Sequence, residues 1–210
     1  LTVPAGRNVL ERIKHGFADI EDILRSVWLV EEVSSGVQQY LEKLCDSWIA
    51  DLLCHYATTQ GIAADLVEYS ALDVESAPSK RLLVVYGQLP QPEGSMVHDG
   101  RSEYAASLLA GLLKAKGVTF WNNTSLLKNA DSNEVPSALV IRCLSYSEAT
   151  ELSFFGAPVI HPQALLPAIN ESISVQLRWW GDENDEGTII SKDGNGEQPN
   201  KVKGFSIIHD

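Results

Sequence analysis

Residues 144–168 read LSYSEATELSFFGAPVIHPQALLPA, and the order of elements can be taken from them outward. Ser147–Phe155 has the composition of a short helix. Pro162 then stands near the first turn of a second helix over Pro162–Ile169, where a missing N–H costs no hydrogen bond. His161, just ahead of that helix, reads as a structural histidine rather than an acid or base. Upstream, Leu139–Cys143 is an apolar run of strand length.

The same alternation continues on both sides. Toward the C-terminus, Ile173–Arg178 alternates apolar and polar as a strand should, and Thr188–Ser191 is a shorter one. Toward the N-terminus lie a polar loop at Asn122–Pro136, a buried strand at Val118–Trp121 and a helix at Ser102–Lys116 ended by Gly117. Pro90, Pro92 and Gly94 mark a loop, and Ala64–Tyr69 and Arg81–Tyr86 are two more strands. Two long helices open the chain, from about Asn8 to Val33 and from Val37 to Thr59, broken by Ser34-Ser35-Gly36 and closed by Gly61. Strands separated by helices predict an α/β fold, a three-layer α/β/α sandwich with a mainly parallel central sheet that includes Leu82–Tyr86, Val118–Trp121 and Ile173–Arg178. Apolar spacing of three and four predicts burial of Leu108, Leu112, Leu152 and Phe155, and a hairpin of the two long helices on one face of the sheet. Residues 1–191 are expected to form one partial domain, 192–200 a linker, and 201–210 the start of a further domain.

Composition excludes several classes of function. A formal net charge of -12 over 210 residues repels a phosphate backbone, so no nucleic acid is expected as partner. Leu82–Tyr86 and Leu108–Leu113 are too short to span a bilayer, and no secretory signal opens the sequence. The three cysteines include no CxxC pair, and Cys45 and Cys54 point to opposite sides of one helix. Reduced thiols and a cytoplasmic location follow.

Residues 144–168 also resemble the aspartokinase pattern LSYxEAxELxxFGAKVLHPxTxxPA at nearly every position. The match takes in Ser145-Tyr146, Glu148-Ala149, Glu151-Leu152, Phe155-Gly156-Ala157 and His161-Pro162. Tyr104-Ala105-Ala106, Trp121, Val135-Pro136-Ser137-Ala138 and Gly187-Thr188-Ile189-Ile190 extend it. The resemblance is to the aspartokinase branch of the amino-acid kinase family, from about Ile23 to Asp210. It implies that residues 1–191 are an amino-acid kinase-like domain, truncated at its N-terminus, and that 201–210 (KVKGFSIIHD) enter an ACT-type regulatory domain. A homo-oligomer, with the downstream ACT-type domain or other subunits as partners, is implied too.

The chemistry implied is transfer of the γ-phosphoryl of ATP to the side-chain carboxylate of L-aspartate. That reaction needs cations and N–H donors around the phosphates, acids for Mg²⁺, and a clamp on the substrate. The family's opening KFGGTS is absent from the sequence. Its GE(R/K)LS segment is matched by Leu41-Glu42-Lys43-Leu44-Cys45, where Glu42 is either the ligand of a substrate amino group or a solvated helix residue. GRGGSDY is matched by His98–Tyr104, with Asp99 in place of the arginine, or with Arg101 retained if two loop residues are deleted. Neither gives a bidentate carboxylate clamp. Ser102 and Glu103 read more simply as an N-cap and a first-turn acid. In the nucleotide segment, WTDVDG(V/I)YTADPR becomes Trp121–Asn133: Asn123 and Ser125 replace both aspartates, Leu126 the glycine, Lys128 the tyrosine and Asn133 the arginine. Trp121, Ala130 and Asp131 are retained. Pro158 stands where the family has a phosphate-binding lysine, and Gln163 occupies a later Arg- or Thr-rich position.

The remnant substrate site is therefore Glu42, Arg101 and Ser102, and the remnant nucleotide site is Trp121 and Asp131. No residue is assigned a catalytic role and no metal ligand is expected. Scaffold segments survive and phosphate-facing ones do not, which favours a pseudoenzyme with a structural or regulatory role and no cofactor. An active aspartate kinase in amino-acid biosynthesis, completed by sequence outside this chain and using ATP and Mg²⁺, is the alternative. A binding module with a remodelled pocket around Glu42, Ser102 and Trp121 is a third reading.

Overall fold

A computed structural model of the protein describes residues 4–73, 82–87, 101–123, 127–130, 135–154 and 160–194. The chain divides into two compact units, Leu1–Leu89 and Pro90–Asp210. The boundary coincides with the proline-containing stretch that begins at Pro90.

The first unit is built on an antiparallel hairpin of α1 (Pro4–Val30) and α2 (Ser35–Thr59). Ser34 caps α2, its hydroxyl accepting from the Val37 N–H at 3.3 Å. Residues of α1 with the least exposure recur at steps of four and three: Val9, Ile13, Gly16, Ile20, Ile23 and Val27. Gly16 is needed at its position because a Cβ there would stand 2.4 Å from the Trp48 ring. Phe17 packs on the same indole with ring centroids 5.0 Å apart. The Arg12 guanidinium forks onto the buried Asp51 carboxylate at 2.9 and 2.7 Å, pinning the hairpin near its open end. α2 in turn packs on two parallel strands, β1 (Ala64–Glu68) and β2 (Leu82–Tyr86), paired Ala64 to Leu82 through Glu68 to Tyr86. Lys43 on α2 meets Glu68 at 2.8 Å.

The second unit holds a four-stranded sheet in the order β3 (Gly117–Asn122), β5 (Ser174–Trp179), β6 (Thr188–Ser191), β4 (Cys143–Ser145). β3 pairs with β5 and β4 with β6 in parallel, while β5 and β6 form an antiparallel hairpin. Leu144, Val175 and Ile190 point to one face, where Leu165 and Ala168 of α5 (Pro162–Asn170) and Ala149 of α4 (Tyr146–Phe154) cover them. Full burial of a leucine or isoleucine is worth roughly 1.5–3 kcal/mol, so Leu144, Leu165 and Ile190 anchor this core. The Tyr146 hydroxyl donates to the Ile173 carbonyl at 2.8 Å, tying α4 to the start of β5. α3 (Arg101–Leu112) lies beside α5. α4 opens with a reciprocal cap in which the Ser145 hydroxyl accepts from Glu148 N–H and the Glu148 carboxylate accepts from Ser145 N–H.

The α/β class and the mainly parallel strand pairing are as the sequence predicts, and α2 packs on the strands with α1 against it. Four expectations change. Leu82–Tyr86 does not share a ladder with Val118–Trp121 and Ile173–Arg178; it pairs with β1 in a separate two-stranded sheet. Apolar content marks a strand as buried but does not name its neighbour. Leu112 is 48% exposed and Leu108 half-buried, because the buried positions of α3 are the small Ala105, Ser107 and Ala110. Leu152 is half-buried against the core, and Phe155 lies outside the described residues. Leu139–Cys143 is not a strand up to Cys143, where β4 begins. Its backbone bonds to the preceding loop instead: Asn129 N–H to Leu139 O at 2.9 Å and Ile141 N–H to Leu127 O at 3.0 Å. Finally, Ser102 is not an N-cap, since α3 already includes Arg101 and the Ser102 hydroxyl donates to the Glu103 carboxylate at 2.9 Å. Residues 195–210, with most of the expected linker and the ACT-type start, lie outside the described residues. No helix among the described residues is long and apolar enough to cross a membrane.

Candidate functional site

In α/β folds ligands gather at the carboxyl ends of parallel strands, where side chains and loop amides converge. Here that edge belongs to β3 and β5, which end at Asn122 and Trp179. The loop from Trp180 to Gly187 then returns the chain into β6. Trp121, near the end of β3, is 54% exposed, and the Arg178 guanidinium lies 4.6 Å above its ring. Arg178 Nε also donates to the Asp185 carbonyl at 3.3 Å, and its terminal nitrogen donates to the Glu183 carbonyl. Trp180, 64% exposed, donates its backbone N–H to the Asn122 carbonyl at 3.2 Å.

A second arginine locks the same loop. Arg142 forks onto Asp185, with its second contact at 2.9 Å, and the Gly187 N–H donates to the same carboxylate at 2.7 Å. The Arg142 guanidinium, and secondly the Gly187 amide, hold the Asp185 carboxyl below the usual carboxylate range. A depressed pKa means that this anchoring is present above the unfolded carboxylate value and is lost as pH falls through the lower folded one. The loop is therefore expected to stay anchored from neutral to mildly acidic pH and to release below the ordinary aspartate range. Three of the five tryptophans, Trp121, Trp179 and Trp180, flank it, so emission reports the change. Asp185→Asn should show the released emission already at pH near neutral; identical spectra for variant and parent would refute the anchoring role.

The residues singled out from sequence fall in both units. Glu42 lies in the first unit, exposed on α2, accepting from Gln38 Nε2 at 3.2 Å. Arg101 and Ser102 open α3 in the second unit, and Ser102 is exposed. Trp121 stands near the end of β3, and Asp131, like Ser125, Leu126, Asn133 and Pro158, lies outside the described residues. His161 is the N-cap of α5, its Nδ1 accepting from Gln163 N–H at 3.3 Å, as a structural histidine would. Sequence reasoning missed Arg142, Arg178 and Asp185. Their signal was the acidic run Asp182-Glu183-Asn184-Asp185-Glu186 between a strand carrying Arg178 and the Gly187-Thr188 turn.

Both arginines of this rim have protein partners, and among the described residues no group of three or more His, Cys, Asp or Glu is arranged to hold a metal ion. Lys128 is the one cation of the nucleotide segment; it is half-buried, and its ammonium has no hydrogen bond or ion pair among the described residues.

Mainly parallel strands with helices packed on them define an α/β protein, and comparison with known proteins gives the family. Residues 8–178 match the amino acid kinase family, and the chain belongs to it. Within that family it is similar to aspartokinase catalytic regions. It is 25% identical to the chloroplastic bifunctional aspartokinase/homoserine dehydrogenase of Daucus carota over 231 aligned positions, covering 95% of this chain and 25% of that protein. Against the bifunctional aspartokinase/homoserine dehydrogenase of Haemophilus influenzae, identity is 37% over 119 residues, 55% of this chain and 14% of that one. Among solved structures, Escherichia coli aspartokinase III in complex with aspartate and ADP superposes with a TM-score of 0.64 at 21% identity, over 84% of this chain and 46% of that one. The UMP kinase of Ureaplasma parvum gives 0.61 at 10% identity, over 80% of this chain and 76% of that one. The chain spans about a quarter of the length of the plant relatives it matches.

Proposed function

We propose that this chain is an aspartokinase-like domain that does not transfer a phosphoryl group from ATP to L-aspartate, and that it serves a structural or regulatory role toward neighbouring domains or subunits. The observation that carries this reading is the state of the rim arginines. Arg178 is bound by two loop carbonyls and stacked on Trp121, and Arg142 is neutralised by Asp185. A polyphosphate approaching this edge meets Asp182, Glu183, Asp185 and Glu186 on a protein of net charge -12, and neither rim guanidinium is free to replace its hydration. The sequence adds Pro158, Asn123 and Ser125 where the resembling pattern has a lysine and two aspartates. Each preorganised group lost from an active site costs roughly 3 kcal/mol, or about 10²–10³ in rate. A cytoplasmic location belongs to the same reading, supported by free Cys45, Cys54 and Cys143.

Calorimetry with ATP and Mg²⁺, followed by a hydroxamate assay for aspartyl phosphate, tests the proposal. No heat of binding and no hydroxamate above the blank are expected. Micromolar nucleotide binding, or turnover abolished by Glu42→Ala, would establish the active kinase instead.

A further inference from the structure

Helices α3 and α5 lie side by side and enclose a groove of about 450 Å³, a volume within the range of small-molecule sites. Its walls are apolar, with Leu108 and Leu112 from α3 and Leu166 and Pro167 from α5. Leu112 and Leu166 are 48% and 53% exposed, so the groove carries aliphatic surface that the fold leaves half in water. Glu171 is the one charged side chain among its lining residues. Its carboxylate has no ion pair or hydrogen bond among the described residues, Lys114 and Lys116 beyond the end of α3 included.

That carboxylate stands where a negative charge is disfavoured. α3 leads into β3 and α5 into β5 through short connections, and the two strands are parallel, so both helices run the same way. Their C-terminal ends, each carrying partial negative charge, therefore lie at the same end of the groove. Glu171 is the C-cap of α5 at that end. It packs against Gly111 in the last turn of α3, where a Cβ would stand 3.0 Å from the Glu171 Cγ. An acid in this place adds to both helix dipoles instead of balancing them, and a cation relieves all three. The groove gains another acceptor from Pro167. This proline lies inside α5 and has no N–H, so the Gln163 carbonyl one turn earlier lacks its usual helical donor. Gln163 lines the same groove.

We propose that the groove between α3 and α5 binds a small organic cation, a primary ammonium on an aliphatic or aromatic body. The ammonium pairs with Glu171 at the two helix C-termini, and the body lies along Leu108, Leu112 and Leu166. Charge makes the choice among ligands of this size. An organic anion meets the carboxylate and two negative helix ends, and a neutral apolar molecule covers the leucines but leaves the acid uncompensated. No residue of the strand-end rim takes part, so this site stands or falls independently of the nucleotide reading.

Titration of the whole chain with n-hexylammonium chloride, followed by heteronuclear NMR, tests the site, with n-hexanol and hexanoate as probes of matched length. The amine should saturate in the low millimolar range with shift changes centred on α3 and α5. Hexanol should bind at least about tenfold more weakly, and hexanoate more weakly still. Glu171→Gln, a change at an exposed position, should weaken the amine about tenfold and leave hexanol unaltered. Leu112→Ala should weaken amine and alcohol alike; should it lose helical content, the Glu171 variant decides alone. Absence of saturable amine binding, equal affinity for amine and alcohol, or an amine affinity indifferent to Glu171→Gln overturns the proposal.

Discussion

Gly187→Ala is expected to destabilise the second unit by about 3–5 kcal/mol, close to the upper limit for a single substitution. Two independent effects act at this residue. Its φ of +72° is a left-handed conformation that costs any L side chain roughly 1–2 kcal/mol. The larger effect is steric, because a Cβ would be placed 1.9 Å from the Leu177 carbonyl oxygen and 2.9 Å from its carbon. Both atoms are backbone, and Leu177 pairs with Thr188 at the start of the β5–β6 hairpin, so neither side can retreat without opening the ladder. Thr188 is fully buried and its hydroxyl donates to the Ile141 carbonyl, so a shift there also breaks the link to the segment entering β4. Gly61 provides the control. Its φ is +80°, but nothing lies within 4 Å of where its Cβ would be. Gly61→Ala should therefore lose only roughly 1–2 kcal/mol, the conformational part alone. Urea unfolding of the two variants separates the effects, and equal losses would show that the contact with Leu177 does not matter.

Much of this architecture is legible in the sequence, and the failures have a common physical cause. Helix and strand positions follow from periodicity and from punctuating residues: Ser34 before α2, Gly61 after it, and Pro162 as the first residue of α5. What periodicity does not encode is the size of the residues on the neighbouring surface. The spacing in α3 predicts buried leucines, yet its interior positions are Ala105, Ser107 and Ala110, and the leucines are displaced to the groove. The partner of β2 is equally out of reach, since Leu82–Tyr86 would satisfy any parallel edge. For the candidate site, losses are easier to read than replacements. Asn123 and Pro158 differ in charge from the aspartate and lysine of the resembling pattern, which identity alone makes visible. The engagement of Arg142 with Asp185, 43 residues later, depends on the strand order β5-β6-β4 and has no local signature.

Pro158→Lys alone is expected to leave aspartyl phosphate formation at background, at least about 10⁴-fold below what an intact set of phosphate-binding groups would support. The substitution returns a positive charge and a backbone N–H at the position where the resembling pattern carries its lysine. On the reading proposed above, three deficits remain. Asn123 and Ser125 bring no negative charge for Mg²⁺, and without the metal the developing charge on the transferred group is not balanced. Leu126 stands where the pattern has glycine, and a branched side chain is a poor substitute for glycine wherever backbone must approach a phosphate. The third deficit is on the rim itself: Arg142 and Arg178 stay bound to Asp185 and the loop carbonyls, and one new ammonium does not release them. Groups that act as a unit lose function together, so restoring one member recovers almost none of it. The hydroxamate assay on parent and Pro158→Lys should give the same blank-level signal. A rise in the variant, abolished in turn by Glu42→Ala, would mean that the phosphate-binding lysine was the single missing part and that the rest of the site still works.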